Sequence, residues 1–226
     1  IFNYLIEKNP IVNTKNNNGS TPLHTAVDKL NYEIVSILIN KGADVNAVNN
    51  KENTSLHIAT KKNSLYIVSI LIENDADVNS KNYTGNTPLQ YAVYNNNLNI
   101  VSILIENNAD VNSKNINGHI PLNFAIGLPN PDIVSILIKN GADVNIVNNE
   151  GQTSLHYAVF RMNLEIVKIL IKEGMNINVN ARDINGHTPL HYAVYKKNLE
   201  IVKFLIEEGT DINAEDDEGL TPLDLY

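Results

Sequence analysis

The residues in this chain that could do chemistry are six histidines and a short acidic run. His24, His57, His156 and His191 each stand three positions after a threonine, at Thr21, Thr54, Thr153 and Thr188. An imidazole could serve as acid, base or metal ligand there, but the same slot recurring four times points to a repeated structural part. His187 and His191 are four apart, yet the first precedes a helix start and no carboxylate stands at a helical spacing that would complete a zinc site. The run Glu215, Asp216, Asp217 and Glu218, after Asp211 and Asn213, is calcium-loop-like only in composition. Its glycine comes at 219 and the terminal glutamate is missing, so a solvated loop is expected. No Gly-rich phosphate loop, nucleophile elbow or HExxH is present, and there is no cysteine to act as nucleophile or thiolate ligand. No catalytic, metal-binding or cofactor-binding residue is therefore expected.

Composition narrows the class further. The chain has 226 residues, 43% hydrophobic and 19% charged, with 11 Gly and 8 Pro: enough apolar material for a continuous core and no linker-like block. No apolar run approaches the length of a membrane span, and Ile1 to Ile6 is too short for a signal peptide before Glu7 and Lys8. A net charge of -8 argues against a phosphate-neutralising face. These features exclude nucleic acid, membrane and small-molecule substrate as expected partners and suit a reducing cytoplasm. The abundant asparagine reads as the bias of an AT-rich genome and receives little structural weight.

Positioning is governed by an internal repeat. TPLH at Thr21, TSLH at Thr54, TPLQ at Thr87, IPLN at Ile120, TSLH at Thr153, TPLH at Thr188 and TPLD at Thr221 recur at spacings of 33, 33, 33, 33, 35 and 33. Thr21 before Pro22 reads as a helix start, because threonine can cap and proline needs no N–H at the first helical position; the helix should run from about 22 to 29. About thirteen residues later comes an apolar phrase such as Ile34, Val35, Leu38 and Ile39, which builds one face of a second helix. Gly42, Asp75, Asn108, Gly141, Gly174 and Gly209 occupy a slot that wants a left-handed residue. Between repeats, Asn18-Gly19, Asn117-Gly118 and Asn185-Gly186 have hairpin-turn chemistry, while Glu52 in the glycine slot implies strain or another turn type. The two extra residues of the fifth unit are expected near 178–181.

The 33-residue period and its TPLH phrase resemble the ankyrin-repeat family over essentially the whole chain. The asparagine-rich array is similar to ankyrin proteins of viruses, intracellular bacteria or other AT-rich genomes. The resemblance implies an all-α solenoid of stacked helix-turn-helix units with short β-hairpin-like loops. In this sequence it would be a single array over 1–226: a partial repeat at 1–15, full repeats at 16–48, 49–81, 82–114, 115–147, 148–182 and 183–215, and a partial repeat at 216–226. The opening without Met and the stop inside a first helix read as a fragment of a longer protein. The fourth unit is expected to be weakest, since Ile120 and Asn123 replace Thr and His, and Gly127-Leu128-Pro129 shortens its first helix. The family's usual role for the slot histidines is a hydrogen bond to the threonine. Leu38 with Asn46, and Leu137 with Asn145, resemble the asparagine-hydroxylation spacing of ankyrin proteins, though asparagine that orders a turn accounts for them more simply.

By the same resemblance, first helices and loop tips line a concave surface that grips partners. Thr25, Ile58, Tyr91, Phe124, Tyr157 and Tyr192 adjoin repeat interfaces and are expected in the core. Three positions on, a slot the family usually exposes holds Tyr94, Phe160 and Tyr195, with Gly127 leaving a gap in unit four. The next slot holds Lys62, Leu128, Arg161 and Lys196; aromatics beside long cations are typical of interfaces, though the same mixture also arises from side chains lying along a ridge. Tyr83, Ile116 and Ile184 are apolar at the loop tips. These residues, in repeats three to six and at Lys62, are the candidate partner-binding set. The partner is expected to be a protein or peptide with apolar anchors and acidic residues. The alternative is a targeting or regulatory module of a larger enzyme, channel or ubiquitin-ligase adaptor.

Overall fold

The computed structural model describes residues 12–226, so most of the partial repeat expected at 1–15 lies outside the described residues. The described chain is all helical, with no strand. It falls into two compact units that divide between Asp110 and Val111. The first contains α1 (Pro22–Asp28), α2 (Tyr32–Asn40), α3 (Ser55–Lys61), α4 (Leu65–Glu73), α5 (Pro88–Tyr94) and α6 (Leu98–Glu106). The second contains α7 (Pro121–Ala125), α8 (Asp132–Lys139), α9 (Ser154–Phe160), α10 (Leu164–Glu173), α11 (Pro189–Tyr195), α12 (Leu199–Glu207) and a closing 3-10 turn, Pro222–Leu225.

Each first helix other than α7, which starts on Ile120, begins on a threonine because its side chain and the residue three positions on satisfy orphan N–H groups of the first turn. In unit one, His24 Nδ1 stands 3.1 Å from Thr21 N and 2.8 Å from Thr21 Oγ1, while Nε2 stands 2.9 Å from the Asn53 carbonyl of the next repeat. A backbone N–H can only donate and a carbonyl can only accept, so the ring must be the neutral Nε2–H tautomer. His57, His156 and His191 repeat the arrangement toward the carbonyls of Asn86, His187 and Leu220. These four histidines are buried couplings between successive repeats.

The second helices supply the rest of the core through Val35 and Leu38, Ile67, Val68 and Leu71, Ile100, Val101 and Leu104, and their counterparts in the second unit. Ile34 and Ile39, expected in that face, are only half-buried. The buried stripe is therefore narrower than the apolar one, and the outer isoleucines flank it.

Asparagine carries more of the structure than composition suggested. In the first unit, Asn46 Nδ2 donates to the Asp75 carbonyl at 2.9 Å and its Oδ1 accepts from Asp77 N–H at 2.8 Å; Asn79 does the same toward Asn108 and Asp110. In the second, Asn145 spans to Asn176 and Asn178, and Asn180 accepts from Asp211. A side chain with one donor and one acceptor end is what two adjacent loops require.

The loops close as the hairpin expectation has them, Gly19 N–H donating to the Asn16 carbonyl at 2.8 Å and Asn16 N–H to the Ser20 carbonyl at 3.0 Å, although no strand flanks them among the described residues. Asn16 Oδ1 accepts from Asn18 N–H and Ser20 N–H, and only Gly19 has positive φ. The tips are Asx turns with a single left-handed residue; within each unit successive tips are joined by a backbone bond, as from Asn50 N–H to the Asn18 carbonyl, which Asn50 Nδ2 doubles by donating to the Asn17 carbonyl. Glu52 holds that left-handed position at φ +56°, so the strain anticipated there is real.

The fifth unit departs most from expectation. Gly174 is not left-handed but extended, at φ -73° and ψ 125°, and Asn176 takes the left-handed conformation instead. The Asn145 to Asn176 bond spans 31 positions where Asn46 to Asp75 spans 29, so the two extra residues enter before Asn176. They lengthen α10 to ten residues and push out Met175, 83% exposed, rather than enlarging the loop at 178–181.

In unit four, Asn123 Oδ1 still accepts from Ile120 N–H at 2.9 Å, but the Ile120 side chain can return no bond, the Asn123 N–H turns to the Ile120 carbonyl at 3.0 Å, and Asn123 Nδ2 is buried without a partner. Helix α7 has five residues where α1, α3, α5, α9 and α11 have seven. Amides of residues 120–130 should open early in hydrogen exchange, and protection there equal to that of α9 would refute the weakness.

Two further sites are imperfect. Ser55 and Ser154 sit fully buried at the first helical position with hydroxyls lacking any partner, where other units have Pro22, Pro88, Pro121 and Pro189. Thr54 and Thr153 already hold the extended backbone that proline demands of its predecessor. Ser55→Pro and Ser154→Pro should each stabilise by about 1 kcal/mol, read as a raised urea midpoint; a lowered midpoint would show that the serine N–H is used.

Candidate partner-binding surface

Every first helix of seven residues ends on the slot that holds the aromatics. Tyr94, Phe160 and Tyr195 are the last residues of α5, α9 and α11 and are 68%, 47% and 62% exposed. Tyr83, Ile116 and Ile184 are exposed at their loop tips.

The following slot is the C-cap of those helices, and its side chains lean back on the preceding repeat. Lys62 Nζ pairs with Asp28 at 3.0 Å, Asn95 Nδ2 donates to the Thr60 carbonyl at 2.7 Å, and Lys196 Nζ lies 3.9 Å over the Phe160 ring. A Cβ placed on Gly127 would stand 4.0 Å from the Arg161 guanidinium, so Arg161 borders the gap that glycine leaves. A cation at a helix C-terminus is favoured by the helix dipole, which gives these residues a structural role in addition to any recognition. Leu128, in the same slot of unit four, is half-buried.

The slot expected to be core is only partly so. Thr25 is exposed, and Ile58, Tyr91, Phe124, Tyr157 and Tyr192 are half-buried. The rings lie edge-on against histidines, Tyr91 at 6.2 Å from His57 and Tyr192 at 5.7 Å from His156, which shields the histidine while leaving one ring face open. Tyr192 also meets Phe160 at 6.2 Å, donates to Asp183 Oδ2 at 2.6 Å and accepts from Gln152 Nε2 at 3.1 Å. Burial, together with the neighbouring Asp183 carboxylate, pushes its phenol up to about 12, so it stays a neutral donor. Tyr157 faces His119 Nε2 at 2.6 Å in the same way.

Signals the sequence did not yield include the corner between the paired helices. Leu30, Asn63, Asn96, Met162 and Lys197 all have positive φ, and the next N–H reaches back five residues, as from Asn31 to the Ala26 carbonyl. Asparagine betrays the corner in two units, whereas Leu, Met and Lys conceal it.

A family model for ankyrin repeats, in three copies, matches residues 1–49, 46–115 and 122–216. The chain belongs to the ankyrin-repeat family. Among solved structures, this ankyrin chain is similar to the ankyrin repeat domain of Bcl-3, described as a unique member of the IkappaB protein family. The identity is 28% and the TM-score 0.83, over 92% of this chain and 95% of that one. No curated protein sequence gives a significant match. Among the described residues no helix is long and apolar enough to cross a membrane, and no group of three or more His, Asp or Glu could hold a metal.

Proposed function

We propose that this ankyrin array is a non-enzymatic scaffold that holds a partner protein through the ridge of first-helix ends and loop tips, in a reducing cytoplasm. The observation that carries this is the placement of Phe160 and Tyr195, two large rings left open at the same slot of neighbouring repeats, with Arg161 beside them. Tyr94 offers the same kind of ring in the first unit, and Tyr83, Ile116 and Ile184 add apolar tips. Rings of this kind bring large contact area at little entropic cost, and Arg161 would favour a carboxylate next to an apolar anchor. In this reading the repeats marked by the TPLH register serve as one interaction module over 1–226. The likeness to the Bcl-3 ankyrin domain supports a role in protein interaction.

A partner recovered by photo-crosslinking from position 160 provides the test. Phe160→Ala and Tyr195→Ala should each weaken its binding by about 2 kcal/mol, roughly thirtyfold, without lowering the thermal midpoint. Variants that bind as the parent does, or that unfold, would remove these residues from the site.

A further inference from the structure

All 11 glycines lie among the described residues, and all but one have an evident reason to be glycine. Most have positive φ. Gly174 does not, but a Cβ there would run into the Leu170 carbonyl. Gly127 is the exception. Its φ lies outside the left-handed region, and a Cβ would meet only the Phe124 carbonyl at 3.8 Å and the Arg161 guanidinium at 4.0 Å, both ordinary contact distances. The position is exposed, and it follows a helix already shortened to five residues, where glycine costs more backbone freedom than any residue with a side chain. Asp28, Lys61, Tyr94, Phe160 and Tyr195 fill the same slot in the other full repeats. Neither backbone nor packing explains why unit four leaves it empty.

The notch at Gly127 is bordered by groups suited to a ring. Arg161 reaches it from the next repeat. Phe160, adjacent in sequence, is 47% exposed, and its contacts come from the repeat beyond: Lys196 Nζ lies 3.9 Å over the ring and Tyr192 meets it edge-on at 6.2 Å. Gly127 stands in the repeat before, so the notch adjoins the side of Phe160 that those contacts do not cover. Neither Arg161 nor Lys196 pairs with a carboxylate among the described residues, which leaves both positive charges uncompensated. A guanidinium plane and an open ring beside an empty side-chain volume are complementary to an aromatic side chain with carboxylates close to it.

We infer that Gly127 is a specificity contact of the array: the partner protein inserts an aromatic side chain into the notch, against Arg161 and Phe160, and aspartate or glutamate residues flanking that ring meet Arg161 and Lys196. This rests on the ridge being the recognition surface. It gives the glycine a role in binding that opposes its effect on stability, and the two can be measured separately.

The chain contains no tryptophan, so the emission of a tryptophan peptide reports its own burial. The probes are short peptides in a glycine-serine background: tryptophan flanked by glutamates, tryptophan flanked by lysines, and alanine flanked by glutamates as competitor. The tryptophan-glutamate peptide should shift its emission to the blue saturably and move amide resonances of residues 124–128 and 157–161. It should bind at least about tenfold tighter than the lysine peptide, and the alanine peptide should fail to displace it at equal concentration. Gly127→Ala should raise the urea midpoint, because its φ is open to any residue, and weaken the peptide severalfold. Gly127→Tyr, which supplies the ring that repeats three and six carry, should abolish binding while the spectrum away from these segments stays that of the parent. Equal binding of the glutamate and lysine peptides, displacement by the alanine peptide, no saturable shift, or shifts confined to other residues would each overturn the assignment. So would full binding by Gly127→Tyr or a lowered midpoint for Gly127→Ala. If Phe160→Ala loses the crosslinked partner while Gly127→Tyr keeps it, the ridge reading survives and the notch falls; if both variants keep it, the ridge reading falls as well.

Discussion

Leu104→Ala should cost the protein about 2–5 kcal/mol, measured as the loss of unfolding free energy in urea. Leu104 lies on α6 with no exposed surface, and its carbonyl also accepts from Asn107 and Ala109 N–H where the helix closes. Truncation removes the transfer free energy of the buried atoms and leaves a cavity, because α6 is held on one side by α5 and on the other by α4 and cannot collapse freely. In a linear array each repeat draws much of its stability from the repeats beside it, so exchange protection should also fall in α4 and α5. The neighbouring pair Leu205 and Ile206 on α12 supplies an internal contrast. Leu205 is fully buried and should behave like Leu104, whereas Ile206, 47% exposed, should lose about 0.5 kcal/mol on truncation. A Leu104→Ala loss below that figure would mean that the second-helix core has been placed on the wrong face.

The second-helix face was readable because its apolar residues recur at helical spacing, and the threonine starts because capping chemistry is local. Features that depend on contact between repeats were not readable. The extra residues of unit five could have been accommodated anywhere between Leu170 and Ala181; only the Asn145 bond to Asn176 shows that α10 took them. The exposed face of Tyr192 is set by His156 and Phe160, which are 36 and 32 positions away in sequence. At the candidate surface, the sequence identified which slots carry rings and cations but not that the cations lean backward. Lys62 is committed to Asp28 and Lys196 to Phe160, so each gives up part of its freedom to meet a partner.

Stability should fall steeply and reversibly between pH 6.5 and 5, and the slot histidines should cause it. Burial lowers the pKa of His24, His57, His156 and His191 below the ordinary 6.5, with the carbonyl each faces opposing that shift only in part. The unfolded chain therefore binds more protons than the folded one once the pH drops below about 6.5, and stability decreases as pH falls from there toward the folded values. Geometry gives the same sign: a proton on Nδ1 would face the threonine N–H, a donor against a donor, as at the 3.1 Å contact between Thr21 and His24. Asp216, held low mainly by the Leu220 N–H, and Asp224, held low mainly by its Thr221 bonds, lose their contributions only below the usual carboxylate range. The interval from 6.5 to 5 is thus left to the histidines, the four slot rings together with His119, whose pKa burial also lowers against the opposing pull of Glu150. Unit three shows how to test it, because Gln90 Oε1 accepts from Thr87 N–H at 2.8 Å in the same slot without titrating. The double variant His57→Gln, His156→Gln should be less stable at pH 7, having lost the Nε2 bonds to Asn86 and His187, yet its urea midpoint should drop by only about three-fifths as much on going to pH 5, since three of the five lowered histidines remain. An unchanged drop would place the acid sensitivity outside the repeat couplings and leave the four rings as pH-indifferent spacers.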